Sequence, residues 1–203
     1  MKIAIIGHGN VGGALAKNWA KVGHQIIIGA RDVKDDKVQQ LAQLENFSAT
    51  DITGAAQAAE VILVATPAHI AVDLAKQLGK LPGKVIIDAT NAVRQKPEPY
   101  KTAFHALQDI TGAELAKCFN TTGFENMKNP VYHGEGIDLF VAGSSAKAKQ
   151  VAMQLAKDAG FGACYDFGGD DRVELLEQFA LAWINLAIFQ GHGRNIAFKV
   201  LKR

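Results

Sequence analysis

Apolar residues along the chain fall into short β-branched runs separated by stretches with helical spacing. Lys2 to Ile6 is too short and too rich in isoleucine for a helix and reads as a strand. Val11, Ala14, Leu15, Trp19 and Val22 then share one helical face, and Gly23 is placed to end that helix. Gln25 to Gly29 forms the next strand, Val38, Leu41, Ala42 and Leu44 suggest a short surface helix, and Phe47 to Ala49 a weak third strand. Asp51 can cap an Ala-rich helix running to Ala59. Val61 to Ala65 is apolar on both faces, as a buried parallel strand must be, and Thr66-Pro67 ends it. A helix from about His69 to Leu78 stops at Gly79, and Val85 to Ile87 is another buried strand, ending in Asp88-Ala-Thr-Asn91. Pro97 and Pro99 form a short rigid link into a helix near Thr102 to Ile110, followed by a sixth strand, Ala113 to Phe119.

Past Gly123 the pattern changes. Phe124 to Met127 and Tyr132 to Gly136 read as a polar loop, a candidate lid, before a strand at Asp138 to Ala142. Ser144 or Ser145 caps the next helix, Gly160 ends it, and Ala163 to Phe167 gives a last strand. A final helix starts at Arg172, and between Phe179 and Phe189 only Asn185 interrupts the apolar residues. A helix apolar all round requires cover on every side, which a partner subunit or the chain's own loops can supply. Alternating strands and helices with right-handed crossovers predict an α/β, Rossmann-type, doubly wound and mainly parallel sheet. The expected organisation is one domain over 1–203, with a core of about 1–122 and a small C-terminal α/β extension of about 123–203 that ends in the apolar helix.

The first strand-to-helix turn carries the chemistry. Gly7, Gly9 and Gly12 form a GxGxxG between a strand and a helix. In that context the first glycine allows the tight turn, the second lets backbone approach a pyrophosphate, and the third lets helix and strand pack closely. The helix N-terminus then faces the phosphates with free N–H groups and the positive end of its dipole. At the end of the second strand, where an NAD site usually has an acid, stands Ala30, followed by Arg31, with Lys34 as a possible second cation. A guanidinium can hold a 2′-phosphate bidentately, which predicts NADP(H); the alternative is that Asp32 turns inward as a ribose acid. Ligands of such sheets lie at the carboxyl ends of the strands. Ala65, Thr66 and Pro67, then Thr90, Asn91 and Ala92, then Asn120, Thr121 and Thr122 all fall there.

The 203 residues allow one sizeable domain and no second full substrate domain. The net charge of +2 comes from interleaved charges without a basic run, which argues against nucleic acid and membrane partners. Met1 leads within two residues into the first strand, so no leader is expected and the cytoplasm is the expected location. Cys118 and Cys164 are expected to be reduced core residues, and no metal site is indicated. His8, inside the glycine motif, is expected to point to solvent, the alternative being an approach to the pyrophosphate; His69, His105, His133 and His192 share no ligand or catalytic spacing, and Gly191-His-Gly193 reads as a helix cap.

Taken together, Ile-Ile-Gly-His-Gly-Asn-Val-Gly12, Ile-Gly-Ala-Arg31, Val-Ala-Thr-Pro67, Ile-Asp-Ala-Thr-Asn91, Cys-Phe-Asn-Thr121 and Phe140-Val-Ala-Gly143 resemble the deazaflavin-dependent NADP oxidoreductase family. The reductase domain of the six-transmembrane metalloreductases is similar, and the pyrroline-carboxylate reductases more distantly so. The resemblance implies NADP(H) as cofactor and a flavin or deazaflavin, coenzyme F420, as hydride acceptor. It implies that Gly9, Asn10 and Val11 meet the pyrophosphate, that Arg31 meets the 2′-phosphate, and that Ala65 to Pro67 and Asn91 flank the cofactor. Asn120 and Thr121 would sit by the acceptor ring. Familiar members carry Ser or Thr where this chain has Ala30, which removes one phosphate hydrogen bond.

Hydride transfer between stacked rings needs no obligatory acid or base, so no catalytic side chain is assigned. Phe124 and Met127 are candidate acceptor contacts from the lid, set against ordinary loop packing. Two other functions stay open: reduction of a small imine or carbonyl at a dimer interface, and a non-catalytic NADP(H) sensor. The apolar C-terminal helix predicts a homodimer.

Overall fold

In the computed structural model, which describes residues 1–93 and 95–203, the alternation of apolar runs becomes one eight-stranded sheet. Its strands are β1 (Lys2–Ile6), β2 (Gln25–Ala30), β3 (Phe47–Asp51), β4 (Val61–Val64), β5 (Val85–Asp88), β6 (Glu114–Lys117), β9 (Leu139–Ala142) and β10 (Cys164–Gly168), with β7 (Val131–Tyr132) and β8 (Glu135–Gly136) forming a separate hairpin. The sheet order is β10-β9-β6-β5-β4-β1-β2-β3. The first six strands are parallel; β9 runs antiparallel to β6, and β10 parallel to β9. The fold is therefore Rossmann-like α/β, and the chain reverses its direction of travel across the sheet between β1 and β4, where an open α/β sheet leaves its crevice.

Alternating side chains of the buried strands feed two cores. Ile3 and Ile5 face one layer with α1 (Asn10–Lys21), α2 (Asp36–Ala42) and α7 (Ala146–Asp158). Ala4 and Ile6 face the other, with α3 (Ile52–Ala58), α4 (Ala71–Leu78), α5 (Ala103–Thr111) and α8 (Val173–Ile184). The local signals act as expected: the Asp51 carboxylate accepts from Gly54 N–H at 2.9 Å, and Ser145, rather than Ser144, caps α7 by accepting from Ala148 N–H at 3.0 Å.

Two expectations are corrected. The segment after Gly123 is not a polar loop: α6 (Phe124–Lys128) packs on α1, where Asn18 donates to Met127 O at 2.8 Å, and the β7–β8 hairpin follows. His133 and Gly134 both have positive φ, 52° and 85°, as a tight hairpin turn requires, but His-Gly lacks the Asn-Gly or Asp-Gly signature. The last helix is not regular to Phe189 either. It is α-helical to Ile184 and then π-helical over Asn185–Phe189, closed by Gln190 N–H donating to Asn185 O at 2.8 Å. The chain's own fold covers only one side of it: Ala180, Trp183 and Ala187 are buried, whereas Leu181, Leu186 and Ile188 are exposed and Phe189 is 75% exposed. No helix among the described residues is long and apolar enough to cross a membrane.

Candidate active site

The glycine turn is fixed by contact distances. A Cβ on Gly12 would lie 2.1 Å from Gly7 O, and one on Gly7, whose φ is +100°, would lie 2.5 Å from Ala65 O. Only hydrogen fits at either position. Around Gly9, in contrast, a Cβ would meet nothing within 4 Å, although this is the point where α1 begins and its N–H groups are free. The open space above Gly9 is a cradle with backbone donors on one side, the shape and polarity that an anion needs.

Two clefts flank this turn and share Pro67. The first, of 500 Å³, is bounded by Gly7, Gly9, Ala30, Arg31, Ala65 and Thr66, with Lys37 at its rim. The second, of 1110 Å³, runs from Val11 and Pro67 past Asn91 and Asn120 to Trp183 and the π-helical segment. Their joint path crosses the carboxyl ends of β2, β1, β4, β5 and β6.

Three buried polar atoms along this path have no partner: His8 Nδ1 and Thr66 Oγ1 beside the first cleft, and Asn120 Oδ1 in the second. A buried polar atom without a partner is costly, so groups of this kind in a cleft fit a polar ligand. His8 is held below the ordinary histidine range, first by burial and then by the positive charge of Lys37. Open cradle, cations and orphaned atoms together fit a dinucleotide phosphate.

The residues that the sequence singled out separate here. Arg31 is exposed at the first cleft. Lys34 does not line it, whereas Lys37, one helical turn on, does. Asp32 does not line it either; its Oδ1 accepts from Lys34 N–H at 2.8 Å and so closes a local turn. Asn10 lies on the outer side of the turn, in a small cavity with Lys17, Lys21, Lys37 and Lys128.

At the second cleft Asn91 and Asn120 hold each other: Asn91 Nδ2 donates to Asn120 O at 2.8 Å, and Asn120 Nδ2 donates to Asn91 Oδ1 at 3.0 Å. Phe119 has a φ of +63°, and this left-handed step carries the chain from the buried end of β6 to Asn120 at the cleft. Thr121 is buried and does not line the cleft, while Thr122 does. Phe124 lines it, but Met127 is buried in the core layer with Trp19 and Phe119. Of the two proposed lid contacts, the structure brings only Phe124 to the cleft.

Sequence reasoning missed the far wall. Trp183 Nε1 donates to Ile196 O at 2.7 Å, as does Asn126 Nδ2 at 2.7 Å, so one carbonyl of the irregular C-terminal tail ties α8 to α6. Arg194 lies over the rings of Phe124 and Trp183 at 5.5 and 5.6 Å and pairs with Glu125 at 2.5 Å. Burial raises the Glu125 pKa, but the Arg194 bond, a backbone N–H and the charges of Arg194 and Lys128 together outweigh it, and the carboxyl stays below its usual range. Also missed was Lys117, wholly buried between Asp88 and Glu177. A signal existed, since a lysine and an aspartate end two apolar strands that pair in register, Asp88 opposite Lys117.

Residues 2–92 match the family model described as NADP oxidoreductase coenzyme F420-dependent. Over 98% of its length the chain is 28% identical to the F420-dependent NADP reductase of Methanothermobacter thermautotrophicus, of which the match spans 94%. It is 27% identical to that of Methanocaldococcus jannaschii, with 97% of each chain covered. Among solved structures, a putative F420-dependent NADP-reductase from an Arthrobacter species superposes with a TM-score of 0.83 at 26% identity, covering 100% of both chains. An imine reductase from a Pseudomonas species superposes with a TM-score of 0.67 at 15% identity over 65% of its own chain, a likeness of fold alone. Residues 2–92 are thus similar to the F420-dependent NADP oxidoreductase module, and the whole chain is similar to F420-dependent NADP reductases.

Proposed function

We propose that the protein is an NADP(H)-dependent oxidoreductase that passes a hydride between NADPH and a deazaflavin or flavin ring. The observation that supports this most is the path formed by two clefts that meet at Pro67, the first holding Arg31 and the open face of Gly9, the second the Asn91–Asn120 pair. Its shape and order of chemistry are those of an extended dinucleotide: a cation end, an anion cradle and a wider, partly apolar end. Arg31 and Lys37 would hold the 2′-phosphate, the α1 N-terminus and Gly9 the pyrophosphate, and Thr66 the sugar-phosphate chain by its free hydroxyl. The nicotinamide half would lie between Pro67 and Asn91, with Asn120 Oδ1 accepting an N–H from one of the two rings. The bound cofactor supplies the hydride; the chain orders the two rings and excludes water from between them. Phe124, Trp183 and Ile184 give the acceptor an apolar wall, and Arg194 gives an anionic substituent of it a partner.

Exposed Leu181, Ile188 and Phe189 border the same cleft, and with exposed Leu186 they support a homodimer through the C-terminal helix. The chain is read as one cytoplasmic domain without nucleic acid, membrane or metal partners. Stopped-flow absorbance of NADPH mixed with the protein and FMN, FAD or a deazaflavin tests the proposal. Rapid oxidation with one of them and none with NADH is the expected result. Tight NADPH binding without oxidation by any of these acceptors would instead favour the small imine or carbonyl reductase or the non-catalytic sensor.

A further inference from the structure

Beneath the Asn91 turn lies a cluster that the proposed reaction leaves without a role. Lys117 is the last residue of β6 and 0% exposed. Its Nζ donates to Asp88 Oδ2 at 2.8 Å and to Glu177 Oε1 at 2.6 Å. Two carboxylates and one ammonium give the cluster a formal net charge of −1. Burying such a group rarely adds stability over an apolar replacement of the same size, so folding alone gives no reason for it.

The outer oxygens of the two carboxylates show where the cluster acts. Asp88 Oδ1 accepts from Thr90 N–H at 2.9 Å, and Glu177 Oε2 accepts from Ala92 N–H at 3.0 Å. These are the N–H groups of the two residues that flank Asn91, whose side chain pairs with Asn120 in the cleft. The cluster is thus fastened directly behind the floor of the nicotinamide end. Lys96 and Lys101 line the shallow cavity on the solvent side of Glu177, and Lys101 pairs with Glu174 at 3.0 Å. Their charges are exposed and screened, whereas Lys117 and Asp88 are wholly buried and Glu177 is only 12% exposed, so the charge of the triad is screened far less.

We propose that Asp88, Lys117 and Glu177 form an electrostatic positioning unit that fixes Asn91 and favours the cationic, oxidised nicotinamide over the neutral, reduced one. The inference rests on the reading of the cleft as an NADP(H) site. Cleavage of the dihydronicotinamide C4–H bond, with the hydride and its electron pair passing to the flavin-class acceptor, leaves the nicotinamide oxidised with one positive charge. The acceptor is reduced and takes its balancing proton from solvent. A buried net negative charge behind the ring site lowers the free energy of the positive state and shifts the equilibrium on the protein toward NADPH oxidation. None of the three residues touches the reacting atoms; they act through Asn91 and through the field.

The test compares the dissociation constants of NADP+ and NADPH by calorimetry, without any acceptor. Glu177→Gln keeps an oxygen for Ala92 N–H but removes one negative charge, so the ratio Kd(NADP+)/Kd(NADPH) is expected to rise at least about threefold. Lys117→Gln changes the charge in the opposite sense, and the ratio is expected to fall. Glu177→Asp restores the charge and should restore the ratio, even where the shorter side chain weakens both affinities. A merely structural role would move both constants together. An unchanged ratio in either glutamine variant that folds, judged by circular dichroism, overturns the proposal alone. Failure of the unmodified protein to bind either nucleotide overturns the NADP(H) reading and this proposal with it.

Discussion

The two ends of the cleft are built in opposite ways. At the glycine end, neighbours in sequence make the site: Gly7, Gly9 and Gly12 lie within one turn, and Arg31 follows directly on β2. At the Asn120 end, Val11, Pro67, Asn91, Asn120, Trp183 and Arg194 meet across most of the chain. Local construction can be read from spacing, because a strand, three glycines and a helix leave the backbone few choices. Long-range construction depends on where α8 and the tail dock, and no spacing reports that. The first region is also intolerant in its backbone, while the second depends on side chains.

Replacement at the glycines should break this comparison most severely. Gly12→Ala puts a Cβ against Gly7 O, and the expected outcome is a loss of more than about 3 kcal/mol in stability, seen as a collapse of Tm, together with loss of NADPH binding. Gly9→Ala meets no protein atom, so Tm should be kept while NADPH affinity falls, because the new methyl occupies the cradle. At the other end, Trp183→Ala removes a buried ring and its bond to Ile196 O, at about 3–5 kcal/mol by denaturant titration. Any protein that remains folded should keep its NADPH affinity and lose acceptor turnover. Equal loss of both would mean that the two ends are not separate.

Within the glycine end, Arg31→Glu should weaken NADPH binding more than tenfold with little change for NADH, since a charge-assisted pair contributes about 1.5–3 kcal/mol. Lys37→Ala should weaken NADPH binding a few-fold and Lys34→Ala should leave it unchanged, measured by fluorescence titration. The smallest expected effect is on His8. Its folded pKa is lowered by burial and by Lys37, so its contribution to stability is complete above the unfolded value of 6.5 and is lost as pH falls below it. Bound pyrophosphate, being anionic, should raise that pKa. An NMR titration in which NADPH leaves the His8 midpoint in place would put the phosphates elsewhere.

Much of the fold could be read from the sequence because its strands are fully apolar and its helices carry ordinary caps, as at Asp51 and Gly79. What could not be read has physical reasons. Lys37 rather than Lys34 reaches the cleft because Asp35 starts α2 late, accepting from Lys37 and Val38 N–H, and the first turn of that helix sets the direction. Met127 was misplaced because a five-residue helix leaves too short a pattern to separate from a loop. The π-helical turn at Asn185–Phe189 has the apolar composition of the α-helix before it, so periodicity cannot mark the change. Lys117 reads as an interruption of an apolar strand, and only the register of β5 and β6 shows that it has a partner.

A crystal structure of the protein with NADP+ tests the central claim most directly, because one ligand must span both regions. The account predicts the 2′-phosphate at Arg31 and Lys37, the pyrophosphate over Gly9, and the nicotinamide beside Asn91 and Asn120, with His8, Thr66 and Asn120 no longer unpartnered. A dinucleotide lying in the opposite direction, or a nicotinamide outside the Asn91–Asn120 cleft, would contradict it.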